Sequence, residues 1–285
     1  MMNGGLLRLR QALSAINPAE RNAATFILEN PREVVTLSVK ELAEKSDSSQ
    51  AAIIRLCKKI GLDGYKELKL RIAGDMTSFE KEQEEYHEFK DNDDIPTFMK
   101  TITENNVLSL RDTLHLLDKD EVEAAVHYLH TSNRIDFYGV GASQLIAQDA
   151  QQKFMRINKL CTAYADTHIQ LTSAATLTNT DVAVGISYSG ETSHTLAAIR
   201  QAKETGAKTI AITKYGSNSL KELADITLCI SSMESSIRSA ATSSRISQLN
   251  VIDILFTAVA ARDFDQSVAY LKRSREAVQK AYRSE

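Results

Sequence analysis

Two short segments gather the hydroxyls and glycines that could hold an anion. The stronger is Ser187-Tyr188-Ser189-Gly190-Glu191-Thr192, directly after the apolar run Asp181–Ile186. At a strand-to-helix junction, the helix start offers unpaired backbone N–H groups and the positive end of the helix dipole. Hydroxyls from Ser187, Ser189 and Thr192 around Gly190 add donors suited to a phosphate. No lysine follows in the pattern GxxxxGK[ST], so a nucleotide P-loop is excluded. The order Gly185-Ile186-Ser187-Tyr188-Ser189-Gly190 also breaks the GxSxG pattern of a serine hydrolase. The second segment is Gly139-Val140-Gly141-Ala142-Ser143, after Arg134–Tyr138. Its sixth position is Gln144, where a dinucleotide fingerprint needs glycine, so a nicotinamide site is excluded. Gly141 and Ser143 would form the second wall of the anion site. Ser and Thr also cap helices routinely; one such turn fits either reading, and two in one sheet favour an anion.

A third cluster runs from Glu234 through Arg238 to Arg245, at the start of a helix that continues through Gln248 and Asp253. Glu234 could accept from sugar hydroxyls and Arg238 could meet a carboxylate or phosphate. Helix capping with a surface ion pair accounts for them equally well. His168, in Asp166-Thr167-His168, either lines the pocket or is structural.

A different chemistry is written in Ser38–Gly61, SVKELAEKSDSSQAAIIRLCKKIG. Ser38 caps a helix Val39–Lys45, with Glu41 completing a capping box. A polar turn, Ser46–Ser48, leads to a second helix from about Ser49 to Lys59. Leu42, Ala43, Ile53, Leu56, Cys57 and Ile60 face inward, and Ala52 is small enough for close helix packing. Ser49, Gln50, Ala51, Arg55 and Lys58 remain on the other face, which helix-turn-helix proteins present to the major groove of double-stranded DNA. Glutamine pairs with adenine and arginine with guanine in bidentate fashion. Lys59, Lys66 and Lys69 are placed for phosphates, which hold register rather than read sequence. The alternative is an ordinary helical hairpin with a basic outer face.

The elements around these segments divide the chain. Short helices are expected through residue 75: Leu6–Ile16, a second one capped by Asn17 with Pro18 at its first position, a turn near Arg32–Val35, and then the hairpin. Residues 77–96 carry eight acids and two lysines and read as a linker. Thr97–Leu117 and Lys119–His130 read as helices. Beyond them, strands at Arg134–Tyr138, Leu160–Tyr164, Asp181–Ile186, Lys208–Ile212 and Asp225–Ile230 alternate with helices at Ser143–Asn158, Thr192–Thr205 and Ser219–Ala224. That alternation implies a parallel sheet covered on both faces. The domains are therefore 1–76, helical and DNA-binding; 77–96, an acidic linker; and 97–285, an α/β sandwich that binds ligand beyond the carboxyl ends of its strands.

The 285 residues suffice for two domains, and hydrophobic residues make up 43% of them. The net charge of −3 conceals an asymmetry: residues 1–75 carry 12 Lys and Arg against 9 Asp and Glu, while the remainder is acidic. Between 51 and 72, six basic residues face only Asp63 and Glu67. Cys57, Cys161 and Cys229 are widely spaced and form no CxxC pair. They argue against a zinc site or disulfide framework and fit a reducing cytoplasm, each buried among apolar neighbours. No apolar run approaches a membrane span, and the start lacks the pattern of a signal peptide.

At SVKELAEKS, SSQAAIIRLCKKIGLDGYKELK, FYGVGAS, YADTH, DVAVGISYSGET and RSAATSSRISQLNVID the sequence resembles, nearly end to end, the MurR/RpiR family of bacterial transcription regulators. The resemblance implies an N-terminal helix-turn-helix domain joined to a sugar isomerase (SIS) domain with a five-stranded parallel sheet in a three-layer sandwich. It implies phosphosugar binding by the SxSGxT turn, here Ser187, Ser189 and Thr192, with Ser143 of the first turn. It also implies homodimers or homotetramers, a DNA operator and a phosphosugar effector, with no cofactor and no catalytic residue. The branch it resembles most senses N-acetylmuramic acid 6-phosphate. SIS domains also serve as enzymes, which leaves a phosphosugar isomerase or lyase as the rival. Glu234 matches the proton-moving glutamate of related isomerases. The stretch after it departs from their pattern, and His168 is the sole candidate for a second acid or base.

Overall fold

The computed structural model describes residues 4–13, 16–79, 93–231 and 242–283. They form two compact units, one chiefly up to Glu104 and one chiefly from Asn105 onward. Most of the expected acidic linker lies outside the described residues, as do Glu234 and Arg238.

The first unit is built from helices α1 (Gly5–Ala12), α2 (Pro18–Glu29), α3 (Pro31–Val34), α4 (Val39–Lys45), α5 (Gln50–Lys59) and α6 (Tyr65–Phe79). Polar stops and starts set their bounds. Asn17 and Glu20 form a capping box at α2 with Pro18 in its first turn. Ser38 accepts from the Glu41 amide while Glu41 accepts from the Ser38 amide at 2.7 Å. That reciprocal pair satisfies two amides that the first turn of α4 leaves unpaired. One apolar cluster joins Leu9, Ile27, Leu42, Ile53, Leu56, Ile60, Leu68 and Ile72. Every side chain expected to face inward from α4 and α5 is buried, Ala52 included. Cys57 lies within this core, and burial pushes its thiol up to about 12. At pH 8 it therefore stays protonated, and iodoacetamide is expected to alkylate it only after unfolding, a difference readable by mass spectrometry. Labelling of Cys57 in the folded chain at the rate of a free thiol would contradict this packing.

Helix α7 (Ile95–Leu116) runs across the division between the units. The second unit continues with α8 (Lys119–Thr131), β1 (Ile135–Tyr138), α9 (Ala142–Met155), β2 (Cys161–Thr162), α10 (Thr167–Ala174) and β3 (Val182–Ile186). It is completed by α11 (Ser193–Glu204), β4 (Lys208–Lys214), α12 (Ser219–Leu223), β5 (Ile226–Ile230), α13 (Thr242–Arg262) and α14 (Phe264–Arg283). All five strands pair in parallel, in the order β2-β1-β3-β4-β5. The two faces differ in side-chain size. Ile135, Phe137, Val182, Val184, Ile186, Ile210 and Ile212 pack against residues of α8, α9 and α13. Ala183 and Ala211 pack against residues of α10, α11 and α12. Gly185 shares the tighter side: a Cβ there would lie 2.7 Å from Ile199 Cγ1. Bulk on one face and close helix approach on the other follow from the two-residue period of the strands.

Two local expectations are corrected, and one helix was not marked in advance. Helix α1 ends at Ala12 rather than running to Ile16. Strand β2 is two residues long and lies at the sheet edge, so Cys161 is half-buried rather than in the core. Helix α10 fits the alternation of strands and helices, but its residues were not marked, because its pattern is inverted: Gln170 and Ser173 are buried while Ile169 and Leu171 are exposed. Buried polar groups need partners, and Ser173 has one in Asp136, whose Oδ2 accepts its hydroxyl at 2.6 Å. The same carboxylate takes Arg134 at 2.8 Å and the Tyr138 hydroxyl at 2.9 Å.

Candidate DNA-reading face and phosphate cradle

In the first unit, the outer face of α5 carries Gln50, Ala51, Arg55 and Lys58, all exposed, at helical spacing. The turn before it is fixed by hydrogen bonds. The Ser46 hydroxyl donates to Leu42 O at 2.6 Å and lies 2.9 Å from the Ser48 hydroxyl, and the Ser48 amide donates to Ala43 O. Asp47 takes a φ of +46°, a left-handed conformation that aspartate tolerates better than most residues. Ser49 is exposed, but its hydroxyl accepts from the Ala52 amide at 3.1 Å. It therefore serves as the N-cap of α5, which separates it from the residues free to meet bases.

Glu20, on α2, is the unforeseen partner of this face. Its side chain is 4% exposed and its oxygens lie 3.5 Å from both Arg55 Nε and Lys59 Nζ. Arg55 itself remains 61% exposed. A buried carboxylate behind an exposed guanidinium orients the fork outward without covering it. Ile54, also exposed, shares the face with Gln50, Ala51 and Lys58 and was not singled out from sequence; its i+4 and i+3 spacing from Gln50 and Ala51 was the signal. An apolar side chain there suits a thymine methyl.

The three lysines expected at phosphates are not equivalent. Lys66 is exposed and Lys59 leans on Glu20. Lys69 is half-buried, and its Nζ donates to Leu37 O at 2.9 Å and lies 5.7 Å from the centre of the Tyr65 ring. Its ammonium is thereby committed to the unit's own packing, beside the Tyr65 hydroxyl that donates to Val34 O and Leu37 O. Lys66→Ala is expected to reduce the salt dependence of DNA binding by about one phosphate contact, a slope change near 0.9. Lys69→Met is expected to leave that slope unchanged and to lower stability instead. Titrating a DNA duplex at several salt concentrations separates the two, and equal slopes for both variants would reject the distinction.

In the second unit, the turns that follow β1 and β3 are neighbours, because these strands pair with Tyr138 opposite Gly185. The chain turns back on itself at this point: β1 leads outward to β2, whereas β3 to β5 extend the other way. Crevices in open α/β sheets form where strand order reverses, beyond the carboxyl ends. Gly139 is packed so closely that a Cβ would lie 2.6 Å from Ser143 O, whereas Gly141, at φ +61°, faces open space. Ser143 is half-buried in the first turn of α9. Gln144, which excluded the dinucleotide reading, is 7% exposed and donates to Ala163 O at 3.0 Å. Gln170 donates to Gly139 O, Tyr164 O and Gln144 Oε1. These two amides brace the first turn from behind, a role that no spacing rule would have assigned them.

The second turn holds itself with its own hydroxyls. Ser187 is 2% exposed. Its Oγ lies 2.9 Å from Thr192 Oγ1 and accepts from the Gly190 amide at 3.2 Å. Ser189 Oγ accepts from the Glu191 amide. Ser189 and Thr192 are half-exposed. Either hydroxyl of this pair can donate to the other, so the pair keeps one proton for a ligand, and Thr192 is the more exposed of the two. Glu191 is directed away: it accepts from the Ser219 amide and hydroxyl, and these hydrogen bonds hold its carboxyl below the usual range. Gly190 takes φ +73° against Asn218, the cap of α12.

Capping distinguishes the starts of α9 and α11 from those of α8, α10 and α12. Asp118 caps α8, Asp166 caps α10 and Asn218 caps α12, each with its side chain on first-turn amides. Gly141 before α9 and Thr192 before α11 make no such bond. Two helix starts beside adjacent strands thus keep their amides clear of side-chain acceptors. His168 is exposed in the first turn of α10, where its amide donates to Asp166 Oδ1 at 2.8 Å. Glu234 and Arg238 lie outside the described residues.

A model of the helix-turn-helix domain of the rpiR family matches residues 3–79, and a SIS domain model matches residues 128–258. The chain belongs to the RpiR family. It is a helix-turn-helix transcription regulator carrying a SIS domain. An uncharacterized HTH-type transcriptional regulator of Caldanaerobacter subterraneus subsp. tengcongensis is 45% identical over 96% of this chain and 97% of its own length. YbbH of Bacillus subtilis, likewise an uncharacterized HTH-type transcriptional regulator, is 38% identical over 98% of each. Among solved structures, the NanR protein of Vibrio vulnificus complexed with ManNAc-6P superposes with a TM-score of 0.61 at 24% identity, covering 97% of this chain and 98% of that one. That likeness establishes the shared fold. Among the described residues, no helix is long and apolar enough to cross a membrane.

Proposed function

We propose that this regulator reads a DNA operator with residues 1–76 and senses a phosphorylated sugar with residues 97–285, acting in the cytoplasm as a homodimer or homotetramer. The observation that carries the sensing half is the pair of helix starts at β1 and β3 without side-chain caps. Unpaired amides at two helix N-termini, with the hydroxyls of Ser143, Ser189 and Thr192 at their rim, match the needs of a phosphate. Ser187 acts through Thr192, and Gly141 and Gly190 give the backbone its approach. The effector shifts DNA binding through its unequal affinity for two arrangements of the assembly.

The sugar in this reading is an amino-sugar 6-phosphate. N-acetylmuramic acid 6-phosphate is the first to test, and ManNAc-6P, which the NanR structure contains, is the second. The SIS unit acts here as a sensor, in keeping with relatives named as regulators. Glu234, Arg238 and His168 would then contact the sugar rather than move protons. Differential scanning calorimetry with a panel of phosphosugars tests the sensing half. A ligand that binds only the folded state adds about 2.7 kcal/mol at a hundred times its Kd. Promoter binding measured with and without that sugar tests the coupling. Indifference of DNA binding to every stabilising sugar would sink it. Turnover of a phosphosugar that Glu234→Gln abolishes would favour the enzyme instead.

A further inference from the structure

The carboxyl end of β4 sets a cation beside the turn that follows β3. The two strands pair with Ile186 opposite Ile212, which brings Lys214 next to Tyr188 of the Ser187–Thr192 turn. The Lys214 amide donates to Tyr188 O at 3.1 Å, and the Thr213 hydroxyl donates to the same carbonyl at 3.3 Å. Lys214 Nζ lies 5.9 Å from the centre of the Tyr188 ring. That ring packs against the apolar cluster on the α9 and α13 side of the sheet. An ammonium carries three donors and no acceptor. Among the described residues this one makes no hydrogen bond and no ion pair. Lys214 is half-buried, so part of its water is displaced with no acceptor in return. The ring stands near the outer limit for a cation–π contact, about 6 Å, and leaves the donors open. Glu191 is engaged elsewhere: its hydrogen bonds from Ser219 first, and the Lys214 charge after them, hold its carboxyl below the usual range.

We propose that Lys214 is a specificity-determining residue whose ammonium holds a second anion of the effector, a carboxylate on the sugar. Position separates this anion from the phosphate. The phosphate is served between the β1 and β3 turns, by two uncapped helix starts and by the hydroxyls of Ser189 and Thr192. Lys214 stands on the opposite flank of the β3 turn, two strand spacings from β1, roughly 10 Å. A phosphate in the cradle therefore leaves Lys214 to the sugar. A neutral sugar hydroxyl would answer one donor but not the charge, whereas a carboxylate answers both. Phosphorylated sugar acids are thus the preferred class of effector, and phosphosugars with only neutral substituents bind less well. N-acetylmuramic acid 6-phosphate belongs to the first class through its lactyl carboxylate, and ManNAc-6P to the second. The inference rests on the phosphosugar reading of this site and narrows it.

Isothermal titration calorimetry on the full chain tests it, with N-acetylmuramic acid 6-phosphate and N-acetylglucosamine 6-phosphate, which differ by the lactyl ether alone. The wild-type chain is expected to bind the first at least about tenfold more tightly. Lys214→Met keeps the length of the side chain and removes the charge. It is expected to weaken the first sugar at least about tenfold and the second less than about twofold. Lys214→Arg is expected to retain the preference. Both variants should melt like the wild type, because Nζ supports no hydrogen bond of the fold. Ser189→Ala with Thr192→Ala, by contrast, is expected to weaken both sugars. Equal losses for the two sugars in Lys214→Met would assign the lysine to the phosphate and overturn the carboxylate. A wild-type chain that binds neutral phosphosugars as tightly as acidic ones overturns it too. A preference that survives Lys214→Met removes Lys214 from the site. Absence of binding by any phosphosugar of the panel overturns the phosphosugar reading itself, and this inference with it.

Discussion

Replacing Gly190 by alanine is expected to abolish the stabilisation that a phosphosugar confers. The backbone there sits at φ +73°, and a Cβ would lie 2.0 Å from Asn218 Oδ1 and 2.2 Å from its Cγ. Neither atom can retreat freely. Asn218 is 5% exposed, its Oδ1 accepts from the Lys221 amide, and Gly190 O in turn accepts from the Leu220 amide. A non-glycine residue in a left-handed conformation costs about 1–3 kcal/mol. Displacing the cap of α12 adds about 1 kcal/mol. The turn relieves this by moving, which carries Ser189 and Thr192 out of place. Calorimetry is expected to show a less stable SIS unit whose melting no longer responds to sugar, while DNA binding by the first unit survives. Ser189→Ala with Thr192→Ala is the companion variant: it removes the donors without the clash and should lose the sugar response with little loss of stability. A wild-type response in that double variant would show that the phosphate sits elsewhere.

Arg55→Ala is expected to weaken operator binding by about 1–3 kcal/mol, some 5- to 150-fold, and to relax specificity at one base pair. The side chain is exposed and held from behind by buried Glu20, so the guanidinium meets DNA already oriented. Glu20→Gln keeps the shape and removes the charge that positions Arg55 and Lys59; it is expected to lower affinity for the operator more than for random duplex. Fluorescence anisotropy with both duplexes at several salt concentrations measures the ratio. A phosphate contact would weaken both duplexes alike and change the salt slope by about 0.9. That outcome for Arg55→Ala would remove it from the base-reading set.

How far the sequence went depended on the kind of signal. The capping box at Ser38, the Asn17-Pro18 start and the inward pattern of α4 and α5 are local, and the chain adopts them where they were expected. Four of the five strands were legible as apolar runs because a parallel sheet is buried on both faces; β2, half-buried at the edge, spans two residues of the expected Leu160–Tyr164. Helix α10 was not legible, because Gln170 and Ser173 are buried for partners more than thirty residues away. Lys69 reads in sequence as any exposed lysine, and only the approach of Leu37 O, 32 residues away, commits its ammonium.

The two hydroxyl turns announced themselves by composition, and the sequence by itself determined that they follow strands and open helices. Only the tertiary structure decided that they lie side by side, because the pairing of β1 with β3 across a reversal of strand order is a long-range event. It also decided which hydroxyls face outward: Ser187 turns inward to Thr192, and Gly190 exists to clear Asn218. Residue type and spacing specify what a segment can do, whereas burial and neighbours specify which of its groups remain free to do it.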